Sequence, residues 1–517
     1  MAAIVAMQEC VPLQDPVEGW SKNYGFWIRA GVLGGVVAVG ISAFTMNMIP
    51  GVVLSKLQLT LLFVGQAIFY PFIGMLVAAL WVFPIPFIIL TIISLYVLLF
   101  AALFRIVAGK QIFSQMAKYP NEFILLVSFS ASQSIMAVTY AAYGVLFEHM
   151  INTNFELPVI LLLPVIKVIM KNLVSLPIAH MKDMVPEGVI FTVDFFNSMY
   201  LATCMQNTSS ISTVATMMTL DFGQTAFALR GLHDRSDTIL ERLRQACGIV
   251  VDSDSLLPVI KVLCRNTDKF EQQTRRDVLL YSCLPHKLSQ QARDLLDKLS
   301  LLPGNGVQSI PKFSISRVSE LSTSFRASIG MSKMKWGLLL RNIAKIEPNN
   351  SIFVKAASSE AVQTIKADKS PAVQNLKILS ETLEVLFTSE CLLLTEYLES
   401  IIPLLYGSFI FLVVNLPSAP YHTDLIGLNH ENVGGTLLNV YVYALLEFAS
   451  FLMLALLMMR NCRMQALYHL AFVLETQMLL VQVKLMTWVL MTLSFRVVHF
   501  GADFSFKFAW MHDNNVR

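Results

Sequence analysis

The chain has 517 residues, of which 55% are hydrophobic and only 14% charged, well below the roughly 25% charged residues of soluble domains. Its mean hydropathy of +0.61 identifies an integral membrane protein, with the lipid bilayer as its first partner. The net charge of +3 is small, the basic residues are dispersed, and no nucleic-acid motif occurs, so nucleic acid is excluded as a partner.

The tail 1–26 carries Glu9, Asp15 and Glu18 where a cleavable leader would want positive charge, so the first span is expected to act as its own targeting signal. A membrane region, 27–220, follows, with apolar runs at 27–48, 59–81, 86–104, 123–147 and 195–220. Leu57 to Phe104 is a stretch of 48 residues without one ionisable side chain. As a single helix it would extend about 72 Å, more than twice the hydrocarbon core, so it must form two spans. Trp81-Val-Phe-Pro-Ile-Pro86 is the expected turn.

The segment 157–178 is apolar but carries Lys167 and Lys171. Its words Leu162-Leu-Pro-Val-Ile-Lys-Val-Ile-Met-Lys-Asn172 recur as Leu256-Leu-Pro-Val-Ile-Lys-Val-Leu-Cys-Arg-Asn266 inside a polar region, identical at eight of eleven positions. The pattern therefore predicts an interfacial amphipathic helix rather than a span. The polar region, 221–388, holds 23 of the 38 Lys and Arg residues against 17 acids. It reads as a soluble helical domain, with helices over Asp237–Cys247, Arg275–Leu301 and Ala372–Leu386. A second membrane region, 389–498, has runs at 400–420, 434–459 and 465–495, before a tail at 499–517. Its Phe504-Ser-Phe-Lys-Phe-Ala-Trp510 reads as an interfacial aromatic belt. The expected fold is thus all-α and polytopic, with about eight transmembrane helices and a helical domain inserted between spans five and six.

The positive-inside rule orients this arrangement. The basic 105–122 linker, Arg460 and Arg463, and the central domain should be cytosolic, whereas 148–156 and 421–433 carry acids and should lie outside with both termini. Only by leaving 157–178 out of the bilayer core do 105–122 and 221–388 share a side.

Several stretches are familiar: Val193-Asp-Phe-Phe-Asn-Ser-Met-Tyr-Leu-Ala-Thr-Cys-Met-Gln206, Ser389–Gly407, His499–Trp510, the 162–172 words and Phe472-Val-Leu-Glu-Thr-Gln477. From about residue 120 onward the chain resembles a large, uncharacterised family of multi-pass membrane proteins of oomycetes. Pro311–Ile346 and Ser351–Lys369 depart most from it. The resemblance implies a setting but no activity.

Ionisable residues inside spans are the best functional pointers, because burying a charge in hydrocarbon costs several kcal/mol unless it is paired or neutralised. Glu447 and Glu475 lie near the middle of adjacent expected spans, where two carboxyls could share a proton. The alternative is hydrogen bonding between helices for assembly. Lys484 is a conceivable counter-charge, but it falls on the opposite helical face from Glu475 and is expected to snorkel outward. Asn197, Thr203, Gln206 and Asn207 make the fifth expected span unusually polar, as either a hydrated path or a buried interface.

Glu390, Glu396 and Glu399 precede the sixth span and read as a solvated entry helix in preference to a metal pair. Asp252-Ser-Asp254 lacks a sheet to carry nucleotide-sugar chemistry. No nucleotide-binding, nucleophile-elbow or zinc-protease signature occurs, and the seven scattered cysteines form no CxxC pair. No cofactor, metal or catalytic residue is therefore expected.

The leading functional expectation is a non-enzymatic scaffold or receptor-like protein whose basic 221–388 domain binds a protein partner. Its alternative is a proton-linked transporter or channel using Glu447 and Glu475, and a membrane transferase ranks last.

Overall fold

The computed structural model describes residues 2–247 and 371–502, apart from Pro50, Asn152, Asn154, 180–183, Ser209 and Gln477, together with Leu256. These residues form α-helices, with one isolated antiparallel bridge, His422 to Val497, and no strand among them. The helices are α1 (Ala2–Glu9), α2 (Tyr24–Met48), α3 (Lys56–Leu80), the short α4 (Ile88–Thr91), α5 (Ile93–Ala117), α6 (Pro120–Met150) and α7 (Glu156–Ser175). They continue with α8 (Met184–Val189), which passes through a π-turn at Ile190–Asp194 into α9 (Phe195–Asn207), and with α10 (Ile211–Cys247). After the undescribed stretch come α11 (Pro371–Val413), α12 (Val433–Cys462), α13 (Ala466–Thr476) and α14 (Met478–Ser494). Among the described residues, seven helices are long and apolar enough to cross a bilayer, or eight if the pair from Ala466 to Ser494, bent by 81°, counts as one. The protein is an all-α, multi-pass helical membrane protein.

The Leu57–Phe104 run forms two spans as expected. Ser55 starts α3 with a capping box to Gln58, and the helix stops at Leu80 before the Trp81–Pro86 turn. Helix α2 packs tightly on α3 because Gly31 and Gly35 face it. A Cβ on Gly31 would meet the Ala67 carbonyl oxygen at 2.5 Å, and one on Gly35 the Phe63 oxygen at 2.9 Å. Small residues of this kind let membrane helices approach closely.

Two segments differ from the expected pattern. The 157–178 segment, expected at the interface, forms part of a helical stretch, Glu156–Ile178, that is long and apolar enough to span. Its lysines are tolerated because Lys167 pairs with Glu399 at 2.8 Å and Lys171 with Asp194 at 2.9 Å, so neither is a lone charge. Conversely, 195–220 is not one span. Helix α9 ends at Asn207, Thr208 is extended (φ −86°, ψ 134°), and α10 restarts at Ile211. The Thr208 hydroxyl donates to Glu156 at the start of α7, which fixes the break at the end of the bundle where α6 meets α7. Helix α7 thus runs away from that end, α8 and α9 return to it, and α10 leaves again. Three legs replace one, so the sidedness of everything downstream is unchanged.

Phe195 to Gln206 are all buried, making α9 the core about which α6, α11 and α12 pack. A helix buried on every side needs no amphipathic stripe. Its Phe196 stacks on Tyr140 of α6 and meets Trp488 of α14 edge-on.

Helix α10 runs through position 221 without a break, and Asp221 is buried in the bundle. The near ends of the region 221–388 are therefore arms of α10 and α11, joined by an Arg242–Glu381 ion pair at 3.0 Å. The helix expected over Asp237–Cys247 lies within α10, and Ala372–Leu386 lies within α11. The helix expected at Arg275–Leu301, the Asp252–Asp254 pair and the aromatic tail 504–510 fall outside the described residues, as does the second repeat copy except Leu256. The first copy lies within α7.

Candidate functional site: a charged set at mid-bundle

Five helices each bring ionisable groups to the same depth. Lys167 lies eleven residues from either end of the Glu156–Ile178 span. Glu447 lies fourteen residues from the start of α12 and fifteen from its end. Glu396 and Glu399 lie midway along the Glu381–Val413 part of α11, one turn apart and so on one face. Asp194 closes the π-turn before α9, and Asp221 comes from α10. All but the lysines are at least nine-tenths buried.

The geometry is that of one connected set. Carboxylate oxygens of Glu396, Glu399 and Glu447 lie within 4.8 Å of one another. Glu396 accepts a bond from the Ser450 hydroxyl at 2.8 Å, one turn along α12 from Glu447. Lys167 bridges Glu399 at 2.8 Å and Asp194 Oδ1 at 3.5 Å, and Lys171 meets the same Asp194 oxygen at 2.9 Å. Asp221 accepts from the Tyr443 hydroxyl and is in hydrogen-bonding reach of Glu447. Glu447 Oε2, by contrast, is buried with no hydrogen-bond partner. Beside the set, Ile160, Leu163, Lys167, Asn197, Asp221 and Gln224 line a cavity of about 20 Å³, room for one water.

Among the described residues, five acids face two lysines. In a low-dielectric interior such a surplus of three negative charges cannot stand uncompensated, so the set must hold protons, cations or both. It can therefore store and exchange positive charge at mid-membrane depth.

The sequence-predicted residues divide. Glu447 belongs to the set, but Glu475 is exposed on α13 and is not among the carboxyls around Glu447. The bend between α13 and α14 prevents the two helices from forming the straight span that the pairing required. Lys484 does not snorkel outward: it is buried, its amine over the stacked rings of Phe44 and Phe129 at 5.6 and 5.5 Å. The aromatic faces supply cation–π stabilisation in place of the water interface. Asn197 lines the cavity. Thr203 and Gln206 are buried instead in a polar network that closes one end of the bundle, and Asn207 is half-buried at the end of α9. In that network Arg496 donates to Asp424, to Thr203 Oγ1 at 2.7 Å and to the Tyr406 hydroxyl at 3.1 Å. Gln206 donates to the Asp424 carbonyl at 2.9 Å.

Glu396 and Glu399 were expected in a solvated entry helix. They are buried because α11 starts far earlier than its apolar run at 400 and carries them into the bundle. Glu390 is the half-buried member of the trio, 3.4 Å from His469. The signal in the sequence was the lysine pair, Lys167 and Lys171, one turn apart on an otherwise apolar helix, which demanded acids opposite them. Cys10, Cys204 and Cys462 are not in disulfides.

Compared with protein-family models, curated proteins and solved structures, the chain matches none.

Proposed function

We propose that the chain is a proton-linked transporter whose translocation site is the mid-bundle carboxyl set, with Glu447 at its centre. The observation that carries this reading is the position of five acids and two lysines at half-depth in a helical membrane bundle. A purely structural network would be expected to balance its charges, and this one leaves three to be filled. The small cavity bordered by Lys167, Asn197 and Asp221, though mostly apolar in its lining, has room for one water beside the set. In this reading Glu475 has no part, and the basic central region faces the cytosol with both termini outside. The orientation is supported by Lys118, Arg242 and Arg463, which belong to the chain reversals and arms away from the Asp424 end.

The full chain reconstituted in liposomes with an entrapped pH dye, loaded with mixed monovalent and divalent salts, should take up protons when the outside is acidified. Glu447→Gln should lower the rate about tenfold or more, because the mid-membrane carboxyl carries the proton. An undiminished rate in a folded Glu447→Gln protein would sink the proposal.

A further inference from the structure

Glu396 and Glu399 project from one face of α11, and Glu447 enters from α12 opposite them. Their oxygens converge within 4.8 Å. The separation is that of carboxylates around a common hard cation, whose oxygen ligands stand about 2.0–2.6 Å from the metal. A second observation points the same way: Glu447 is 2% exposed, yet its Oε2 has no hydrogen-bond partner. A buried carboxylate oxygen without a donor is costly unless something positive meets it. The chemistry around the three is all oxygen, with the Ser450 hydroxyl on Glu396 and the Tyr443 hydroxyl on nearby Asp221. Oxygen ligands of this kind suit magnesium, manganese or calcium over soft thiolate-seeking metals.

Resting on the transporter reading above, we propose that Glu396, Glu399 and Glu447 bind a hard divalent cation, which the protein exchanges for protons. The charges close. Lys171 neutralises Asp194, and Lys167 with one divalent ion supplies three positive charges against the three glutamates. One proton, shared between Asp221 and Glu447 or held on Asp221, completes neutrality. Without the ion, the same set is neutral with three protons. Binding one divalent ion therefore releases two protons and leaves the site's charge unchanged, an electroneutral exchange that low-dielectric surroundings favour. Lys167 touches both Glu399 and Asp194, so it can lean toward Asp194 when the ion takes Glu399. The cavity lined by Lys167, Asn197, Asp221 and Gln224 abuts the set on the α10 side, where a departing water or proton can go.

The test uses the full chain in detergent, with Mn²⁺ as the probe and the decrease of the free Mn²⁺ electron-spin signal as readout. The folded protein should bind one Mn²⁺ per chain and release two protons into weakly buffered solution containing a pH dye. Glu447→Gln should weaken binding about tenfold or more, and the charge-preserving Glu447→Asp should also weaken it by displacing the ligand oxygen. The latter variant guards against a simple failure to fold, and Glu475→Gln, on exposed α13, should bind like the parent chain. No Mn²⁺ binding by a protein that still moves protons in liposomes overturns the cation site and leaves the transporter reading standing. Loss of both activities in a folded chain overturns both. Binding unaffected by either Glu447 variant, or without proton release, also overturns the proposed site.

Discussion

At the scale of single residues, the chemistry at the Asp424 end of the bundle depends on groups kept in one protonation state. Glu9 is buried between Arg29, at 2.7 Å, and His422, at 3.1 Å. Burial alone would raise its pKa, but His422 and the Arg29 guanidinium beside it outweigh burial and hold the carboxyl below its ordinary value. The Glu9 contribution is therefore complete above the unfolded value and lost only as the pH falls below it. His499 behaves differently. Burial pushes its imidazole down to about 4, against the help of the Gln14 carbonyl that accepts from Nε2 at 2.6 Å. Asn23 Oδ1 is a second acceptor at 3.0 Å, and Nδ1 has no partner, an arrangement that suits the neutral ring. Between pH 6.5 and 4 the unfolded chain binds a proton that the folded chain refuses, so stability rises with pH across that window and is fully present above it. Lowering the pH from 7.5 to 5 should thus remove roughly 2 kcal/mol through His499 alone. In detergent, the melting temperature of the parent chain should fall over this range. His499→Gln, which keeps a side-chain donor but cannot titrate, should show a shallower fall, and parallel curves would contradict the assignment.

At the scale of elements, α7 is held in the bundle by ion pairs as well as by apolar packing. Lys167→Met leaves Glu399 buried and unpaired, which should cost about 3–5 kcal/mol, whereas removing both charges with Lys167→Met/Glu399→Gln should cost less than the two single changes together. A double-mutant cycle on the solubilised chain should therefore give a coupling above about 1 kcal/mol, and additivity within about 0.5 kcal/mol would mean the pair is not coupled. The same pair explains what could be read in advance. Apolar length revealed α2, α3, α5, α6 and α12, and Trp81–Pro86 was visible as a turn from its prolines and the length of its run. The role of α7 was concealed, because its lysines look prohibitive until Asp194, some twenty residues on, and Glu399, 232 residues from Lys167, are folded against them. The break after Asn207 was concealed too. Asn207-Thr-Ser-Ser210 reads as a polar patch, and only the bond from Thr208 to Glu156 shows that the chain reverses there. Glu447 could be identified because it stands alone in an apolar run. Its true neighbours could not, since Glu396 and Glu399 precede the apolar part of α11 and Asp221 follows that of α9 and α10.

At the scale of the whole molecule, the reversal at Thr208 and the crossing by α7 make a prediction about sides. Glu156 meets Thr208, Gln206 meets Asp424, and Asp424 meets Arg496, so the turn between α6 and α7, the break before α10 and the loop before α12 share one end of the bundle. Lys118, between α5 and α6, and Arg463, between α12 and α13, are one helix removed from that end and must lie at the other. Were 195–220 a single span, Ser210 would be buried in hydrocarbon and out of reach of water-soluble reagents. With three legs it stands at the same surface as Thr153 and Ile426. Single cysteines placed at Thr153, Ser210 and Ile426, in a chain lacking its own cysteines, should react with an impermeant maleimide added to intact cells. Cysteines at Lys118 and Arg463 should react only after permeabilisation, and Asn349 of the central region should carry no glycan. The decisive position is Ser210, because labelling there together with Thr153 requires α7, α9 and α10 each to traverse the bundle, whereas protection there, or labelling with Arg463, is incompatible with the turn that Thr208 makes against Glu156.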